Sequence, residues 1–447
     1  MLEARFSAMR ESSRRHPYPT ARERKEHLKK LERALLANQD AIATAIDTDF
    51  HGRNHNEILF SETYVSLNAV RHAHQHVAEW MAERPRILDW PLWPATACVL
   101  PQPLGVIGII APWNYPLFLT IAPLAGALAA GNRVLIKPSE YTPAIATLLQ
   151  RLLAEAFPAD LVSVVTGDAE VGRAFTQLPF DHLLFTGSTP VGREVMKAAA
   201  ANLTPVTLEL GGKSPAIVTP SANITRAAED IVYGKFLNAG QTCIAPDYVL
   251  VEHTRLDAFV TAATTAIDRY WPTQDFTSII NEKHTARLQH YVDEATARGV
   301  KAIQRGRATL LIDPPSDLAV MRDEIFGPVL PIKPYKTLDE AIAWVNAHDR
   351  PLALYLFAKD QSTIDRVTRE TVSGGLCINE TLLHIAAEEL PFGGVGPSGM
   401  GHYHGREGFD TFSKLKPIFR RSWLGLGRTL RPPYGKMHHL LRRVLIG

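Results

Sequence analysis

The sequence predicts an α/β protein built from two doubly wound domains, each a parallel sheet with helices on both faces. Three observations carry this. Apolar strand-like runs alternate with amphipathic helical runs from residue 105 to residue 212. A second alternating series occupies residues 214–380. The chain has 447 residues, 46% of them hydrophobic, which suits about two to three domains of roughly 150 residues with sizeable cores.

The elements follow in chain order. The first 80 residues read as helices, with Lys and Arg on one face and Leu, Ile and Ala on the other. From Trp90 to Asn132 there are 43 residues without charge or histidine. A spanning helix needs an unbroken apolar run of about 20 residues. Here Pro101, Pro103, Pro112, Pro116 and Pro123 interrupt it, so it is expected to be α/β interior. "GVIGII" (105–110) reads as a strand, 117–130 as a buried helix, "RVLIKP" (133–138) as a strand and 142–157 as a helix. "LVSVVTG" (161–167) and "DHLLFTGS" (181–188) are strands, followed by a helix through Ala201. "TPVTLELGG" (204–212) is a strand ending in glycines. In the second series, helices are expected near 224–238, 254–270 and 283–298. Strands are expected at 248–252, 329–335 and 352–358. "PFGGVGPSGMG" (391–401) reads as a loop returning to the core.

Charge and cysteine content narrow the function classes. The net charge is +2, yet nine Lys/Arg and no acid lie from Thr411 onward, which leaves −7 on the preceding residues. A mildly acidic body does not favour nucleic acid. Three cysteines without C-x-x-C spacing suggest neither a disulfide scaffold nor a zinc site. A reducing compartment, the cytoplasm, is expected. The N-terminus has neither the apolar core of a signal peptide nor the acid-poor composition of a transit peptide. Two features are read as structural. "HAHQH" puts His72 and His76 at i, i+4 with no carboxylate or Cys at suitable spacing, so no metal is expected. Cys98 and Cys377 sit in apolar, strand-like stretches, as inert thiols do.

Several short stretches could carry chemistry. Gly394, Gly396 and Gly399 form a G-x-G-x-x-G, but not between a strand and a helix early in a βαβ unit, so it is not taken as a nucleotide loop. "FTGSTPVG" (185–192) follows a strand and opens a helix. Gly187 and Ser188 there could offer N–H groups to a diphosphate, or form an ordinary βα turn. In "IKPSE" (136–140), Lys137 and Glu140 lie past a strand end, where open α/β sheets bind ligands. A solvated charge pair is the other reading. Asn114 in "APWNYP" is an oxyanion-donor candidate held between prolines, or turn chemistry. Glu209 in "LELGG" is a candidate base among leucines, or an exposed strand end. Cys243 in "NAGQTCIAP" is a nucleophile or a buried thiol.

Taken together, "PWNYP", "IKPSE", "FTGSTPVG", "LELGGKSP", "NAGQTC", "EIFGP" and "PFGGVGPSGMG" resemble the aldehyde dehydrogenase superfamily in its motif order, from about residue 20 to about residue 418. "NAGQTCIAPDY", "NETLLH" and "GMGHYHGREGF" resemble its class 3 branch, bacterial coniferyl aldehyde dehydrogenases most. The resemblance implies a Rossmann-type cofactor domain (1–89 and 103–210) and a catalytic domain (211–390). It further implies bridging oligomerisation segments (90–102 and 391–418) and leaves a basic tail (419–447). It implies Cys243 as nucleophile, Asn114 with the Cys243 N–H as oxyanion donors, and Glu209 as base for hydrolysis. NAD is the implied cofactor, with NADP as the alternative. It would be held by Ile110, Trp113, Lys137, Glu140, Gly187, Ser188, Val191, Leu210, Glu324 and Phe326. Gly240 would let backbone and cofactor approach closely.

The implied reaction oxidises an aromatic or medium-to-long-chain aldehyde to its acid in a homodimer. A CoA-acylating relative and a non-catalytic nucleotide-binding scaffold are the alternatives. The tail, rich in Trp, Leu and Arg, is expected to pack on a partner subunit or to make weak peripheral membrane contact. Residues 302–313 are shorter than the family's usual segment, which leaves the edge of the catalytic domain open. "LDWPLWPATA" (88–97) is unusually rich in Trp and Pro for its place.

Overall fold

The computed structural model describes residues 2–271, 276–423 and 431–446. Its strands are β1 (Arg84–Arg86), β2 (Thr96–Pro103), β3 (Val106–Ile110), β4 (Arg133–Lys137), β5 (Val162–Val164), β6 (His182–Thr186), β7 (Val206–Glu209) and β8 (Pro215–Val218). The chain continues with β9 (Tyr248–Glu252), β10 (Lys301–Arg305), β11 (Ala308–Ile312), β12 (Val329–Tyr335), β13 (Ala353–Phe357), β14 (Gly375–Ile378), β15 (Gly399–Met400) and β16 (Ser413–Arg420).

These strands form three sheets, ordered β15-β7-β6-β3-β4-β5, β10-β11-β12-β9-β8-β13-β14 and β1-β2-β16. In the first sheet β7, β6, β3, β4 and β5 are parallel, and only β15 runs against them. The chain builds outward from β3 through β4 to β5, then returns to lay β6 and β7 on the other side of β3. The strand order therefore reverses between β3 and β6, the kind of crevice where open α/β sheets bind ligands.

The helix Phe118–Ala130 is buried on nearly every side, which explains why this part of the uncharged run needs no polar face. It packs against the helices Val65–Trp80 and Ala21–Leu36. The latter starts with a capping box between Thr20 and Glu23, which satisfies two end N–H groups. The beginning of the uncharged run is not interior as expected: Trp90, Leu92 and Trp93 are exposed. Trp90–Leu92 form one 3-10 turn with Pro91 near its start, too short to bury a face, and the segment lies at the surface before β2.

The three-stranded sheet includes Arg84–Arg86, N-terminal of the boundary expected at 89. The glycine-rich segment expected as a plain loop contributes β15 to the first sheet. The shortened 302–313 segment is a tight hairpin, with Arg305 opposite Ala308 and Gly306 at φ +56. Brevity there shortens an edge and leaves the central strands intact.

Candidate active site

The strand register of the first sheet lines up the candidate cofactor residues. Ile110 at the end of β3 lies opposite Lys137 of β4 on one side and Phe185 of β6 on the other. Thr186 of β6 lies opposite Glu209 of β7. With strands about 4.8 Å apart, the row from Lys137 to Glu209 spans roughly 14 Å across the carboxyl edge.

Lys137 is buried, and its Nζ donates to Glu140 Oε2 at 2.7 Å. Glu140 is partly open to solvent. Gly187 follows β6, where a side chain would meet the Phe185 ring 2.5 Å away. Ser188 caps the helix Thr189–Ala200 without a side-chain bond, and Val191 in its first turn is exposed. That helix start thus presents N–H groups beside an open surface, as an anion site requires. Leu210 is buried beneath Gly192 of the same helix.

Cys243 follows the helix Ile224–Phe236 through a backbone that folds back on itself. Asn238, Ala239 and Gly240 have φ of +50, +52 and +75, a left-handed run that costs strain outside glycine. A side chain at Gly240 would collide with the Gly327 carbonyl. The close approach seen there is to backbone, that of Gly327 and of Lys235.

Gln241 pins the turn. Its Nε2 donates to the carbonyls of Asn238 (3.1 Å) and Ser278 (3.0 Å), and its Oε1 accepts from Ile280 N at 3.0 Å. Asn114 is buried, and its Nδ2 donates to the Gln241 carbonyl at 3.1 Å. One residue, Thr242, separates Gln241 from Cys243, so the amide is fixed against the cysteine turn with its second N–H uncommitted among the described residues. Tyr115 OH and Thr242 Oγ1, 2.7 Å apart, make a second tie between the two loops.

Glu209 is 2% exposed, and neither carboxyl oxygen has a hydrogen-bond partner among the described residues. The exposed strand-end reading is thereby excluded. Burial pushes its pKa well above the usual carboxylate value. The glycine-rich segment holds it there: Gly399 pairs with Glu209, and Leu210 N donates to the Ser398 carbonyl at 3.1 Å. A side chain at Gly399 would strike the Leu208 carbonyl. These glycines thus serve backbone packing beside Glu209.

Glu324 is half-buried, with its Oε1 enclosed and without a hydrogen-bond partner among the described residues. Its pKa is pushed up to about 8, by burial first and by Asp247 next. Its loop is clamped by Lys213, which bonds Asp247 and the Val320 and Asp323 carbonyls, and by Arg287 Nη1 donating to the Ile325 carbonyl at 2.8 Å. Phe326 has φ +48 and meets the Trp113 ring edge-on at 5.4 Å. This joins Trp113 to the Glu324 loop across the crevice.

The Cys243 thiol is half-buried. Its pKa is pushed up to about 12, by burial first and then by the charges of Glu324 and Glu209. The thiol is thus protonated at neutral pH and needs a base or an incoming positive charge to react. Cys377 is likewise half-buried, with its pKa pushed up to about 11 by burial first and the Glu380 charge next, so burial and pKa alone do not set it apart from Cys243. Cys98 is buried but not apolar in its contacts, because its Sγ donates to Glu83 at 3.1 Å.

Sequence reasoning missed the support beneath Asn114. Arg53 is fully buried between Glu57 (2.9 Å) and Glu62 (3.0 Å), and its Nη1 donates to the Asn114 backbone carbonyl at 3.2 Å. Glu62 Oε2 accepts from Leu117 N and Phe118 N, at 3.1 and 2.9 Å, the start of the next helix. Asn238 Nδ2 reaches the same Asn114 carbonyl at 2.9 Å. "GRNHNE" reads as a polar surface turn; no local pattern distinguishes an arginine that will be buried by a distant loop.

The crevice fits a dinucleotide on the chain's own features. It has buried acid oxygens lacking partners, a helix start facing open space, and a lysine–carboxylate pair at the neighbouring strand end. A family model described as "Aldehyde dehydrogenase family" matches residues 2–418. The chain is 52% identical to a Pseudomonas aeruginosa protein named "Probable coniferyl aldehyde dehydrogenase", over 97% of this chain and 94% of that one. A substrate-bound structure of Staphylococcus aureus AldH superposes with a TM-score of 0.94 at 40% identity, covering 99% of each chain. A Mycobacterium tuberculosis aldehyde dehydrogenase complexed with NAD+ superposes with a TM-score of 0.86 at 29% identity, covering 95% of this chain and 90% of that one.

Proposed function

The chain belongs to the aldehyde dehydrogenase family, and from that premise we propose that Cys243, Asn114 and Glu209 carry its reaction, the NAD(P)-dependent oxidation of an aldehyde to the acid. The observation that carries the assignment is the Asn114 amide bonded to the Gln241 carbonyl beside Cys243, with Glu209 buried and unpaired nearby.

Cys243 Sγ, its proton passing to solvent, bonds the aldehyde carbon, and the carbonyl π pair moves to oxygen. The Asn114 amide and the Cys243 N–H receive that oxyanion; loss of one such donor typically costs about 10²–10³ in rate. NAD(P) bound in this crevice would supply the acceptor for the hydride that leaves the substrate carbon as the oxyanion collapses. The thioester left on Cys243 is attacked by a water whose proton goes to Glu209. The acid leaves, and the thiolate is restored. Burial suits Glu209 to this, since a raised pKa makes a carboxylate a better proton acceptor near neutrality.

For the cofactor, Lys137 and Glu140 would meet the adenine-side ribose. Gly187, Ser188 and Val191 would meet the diphosphate, beside Ile110, Trp113 and Leu210. Glu324 and Phe326 would meet the nicotinamide-side ribose. Glu140 would accept from a free 2′-hydroxyl and repel a 2′-phosphate, which favours NAD. The substrate is an aromatic aldehyde of the coniferyl type, or a medium-to-long-chain aliphatic one; the similarity to the P. aeruginosa protein supports the first. NADH formation across an aldehyde panel, with the parent and Cys243→Ala, tests the assignment. Product analysis with and without coenzyme A separates hydrolysis from acyl transfer, and Glu209 favours hydrolysis.

The proposed division of labour is a cofactor domain (1–89 and 103–210), a catalytic domain (211–390) and bridging segments (90–102 and 391–418). A homodimer is supported by the free edge of β16, where Leu415 and Phe419 are exposed; such edges invite pairing. Three free cysteines support a reducing, cytoplasmic setting. Among the described residues no helix is long and apolar enough to cross a membrane. Part of the tail, residues 424–430, lies outside the described residues. Its last segment forms the helix Lys436–Ile446, with Leu440, Val444 and Ile446 exposed between basic residues. That helix supports docking on a partner subunit, or weak peripheral contact with a membrane.

A further inference from the structure

His72 and His76 lie one turn apart on the helix Val65–Trp80. The sequence offers no third ligand close to them, but the fold brings one from the far end of the chain. Glu389, in the segment leading to Phe392 and the glycine-rich turn, places Oε1 3.2 Å from His72 Nε2. One ligand atom from each of the three residues lies within 4.8 Å of the others.

We propose that His72, His76 and Glu389 form a binding site for a divalent cation of borderline softness, Zn²⁺ being the type. Two imidazole nitrogens at i, i+4 of one helix face, with a carboxylate, make a zinc ligand set that leaves a fourth position to water. Imidazole donors select against Mg²⁺, which prefers an all-oxygen shell.

The tautomers suit this role. His76 Nδ1 lies 2.9 Å from the His72 carbonyl. A carbonyl only accepts, so Nδ1 carries the proton and Nε2 keeps its lone pair. This is the backbone contact that commonly orients metal-bound histidines. The His76 ring is also held flat against Trp80, with centroids 5.7 Å apart and planes 16° apart. His72 Nε2 is buried and makes no hydrogen bond among the described residues, although Glu389 stands close by. Packing on Trp80 accounts for the rings, and a His72–Glu389 ion pair is the metal-free alternative, which needs no part from His76.

Ligand atoms on a tetrahedral ion with bonds near 2.1 Å lie roughly 3.4 Å apart. Closing the site therefore takes about an ångström of movement. Glu389, 76% exposed, is free to supply it. A cation there would tie the helix to the segment that runs on into β15, the strand paired with Glu209. It would stiffen one wall of the active site without touching the reacting atoms.

The test is equilibrium dialysis of the untagged full-length chain against Zn²⁺ alone, with Mg²⁺ as competitor. Each arm is repeated in Cys243→Ser, because a thiol is itself a zinc ligand. The expected result is one zinc per chain that survives Cys243→Ser and excess Mg²⁺. It should weaken in Glu389→Gln and in His76→Ala by at least the roughly 10–100-fold that loss of a mere outer-shell partner costs. Glu389→Gln changes an exposed side chain and should fold as the parent does, which circular dichroism checks. Co²⁺ should give the visible absorption of a tetrahedral site in the parent and lose it in Glu389→Gln. Three outcomes overturn the proposal: no zinc bound, zinc held equally by Glu389→Gln and His76→Ala, or zinc that disappears with Cys243→Ser.

Discussion

Asn114, Glu209 and Cys243 were legible as candidates because each sits in a stretch whose composition restricts the backbone: prolines around Asn114, glycines after Glu209, small residues around Cys243. What their neighbours do was not legible. Glu209 as an isolated strand-end acid suggested solvent, and only the glycine-rich segment folding over β7 makes it buried and unpaired. At this scale Asn114→Ala should lower kcat by about 10²–10³, the usual cost of one oxyanion donor, with cofactor affinity unchanged by fluorescence titration. An unchanged kcat would remove Asn114 from the mechanism. A pH dependence follows from Glu209. Burial raises its pKa, and only its ionised form can accept a proton from water. Where release of the acyl group limits turnover, kcat should therefore rise with pH from neutral into the alkaline range. Glu209→Gln should abolish that rise. Glu140→Gln should raise kcat/KM with NADP relative to NAD by roughly tenfold, because like charges brought together across an interface cost several kcal/mol when unscreened. An unchanged ratio would show that Glu140 does not face the 2′ position.

At the scale of elements, hydrophobic periodicity located many of the buried strands of the two larger sheets, although β5 and β7 are four and five residues shorter than read. β9 and β12 occupy the residues read from sequence, and β3, β4, β6 and β13 shorten by one to three residues. The strands that escaped notice are β1, β2, β8, β10, β11, β14, β15 and β16; most are short, proline-bearing or near sheet edges, but β8 is a four-residue strand buried in the middle of the second sheet. β2 and β16 are held mainly by pairing with each other; β16 is largely exposed along its length, so it shows little apolar alternation. Two connections control the site and can be tested. Gly240 is left-handed and packs against the Gly327 carbonyl. Gly240→Ala should cost more than the 0.4–1 kcal/mol that a compatible Gly→Ala gains, about 1–3 kcal/mol. It should also lower kcat by shifting Cys243 against the Glu324 loop; chemical denaturation and initial rates measure the two effects. Arg53 sits between Glu57 and Glu62 and supports the Asn114 carbonyl. Arg53→Met should destabilise the fold by about 3–5 kcal/mol, because it leaves a buried carboxylate without its partner. Arg53→Lys keeps the charge but loses the forked contacts. It should lower kcat more than it raises KM for NAD, the pattern of a misplaced oxyanion donor. Equal effects on both would make Arg53 a purely structural residue.

At the scale of the whole molecule, the sheets explain why one crevice gathers residues spread from Ile110 to Phe326. The strand order reverses beside β3, and the second sheet's preceding turn delivers Cys243 to the carboxyl edge of the first. That convergence is a property of topology, which local sequence signals do not encode; the motifs showed which residues, and the register shows why they meet. The free edge of β16 predicts association, and light scattering should give twice the mass of the 49.4 kDa chain; a monomer at all concentrations would contradict it. The central claim is that aldehyde oxidation proceeds through an acyl group on Cys243 that Glu209 helps to release. The most direct measurement mixes Glu209→Gln with NAD and an aromatic aldehyde, quenches the reaction, and determines NADH and intact protein mass together. The account predicts one NADH per active chain and a matching acyl adduct mapped to Cys243. NADH formed in repeated turnovers without any adduct, or an adduct on another residue, would contradict it.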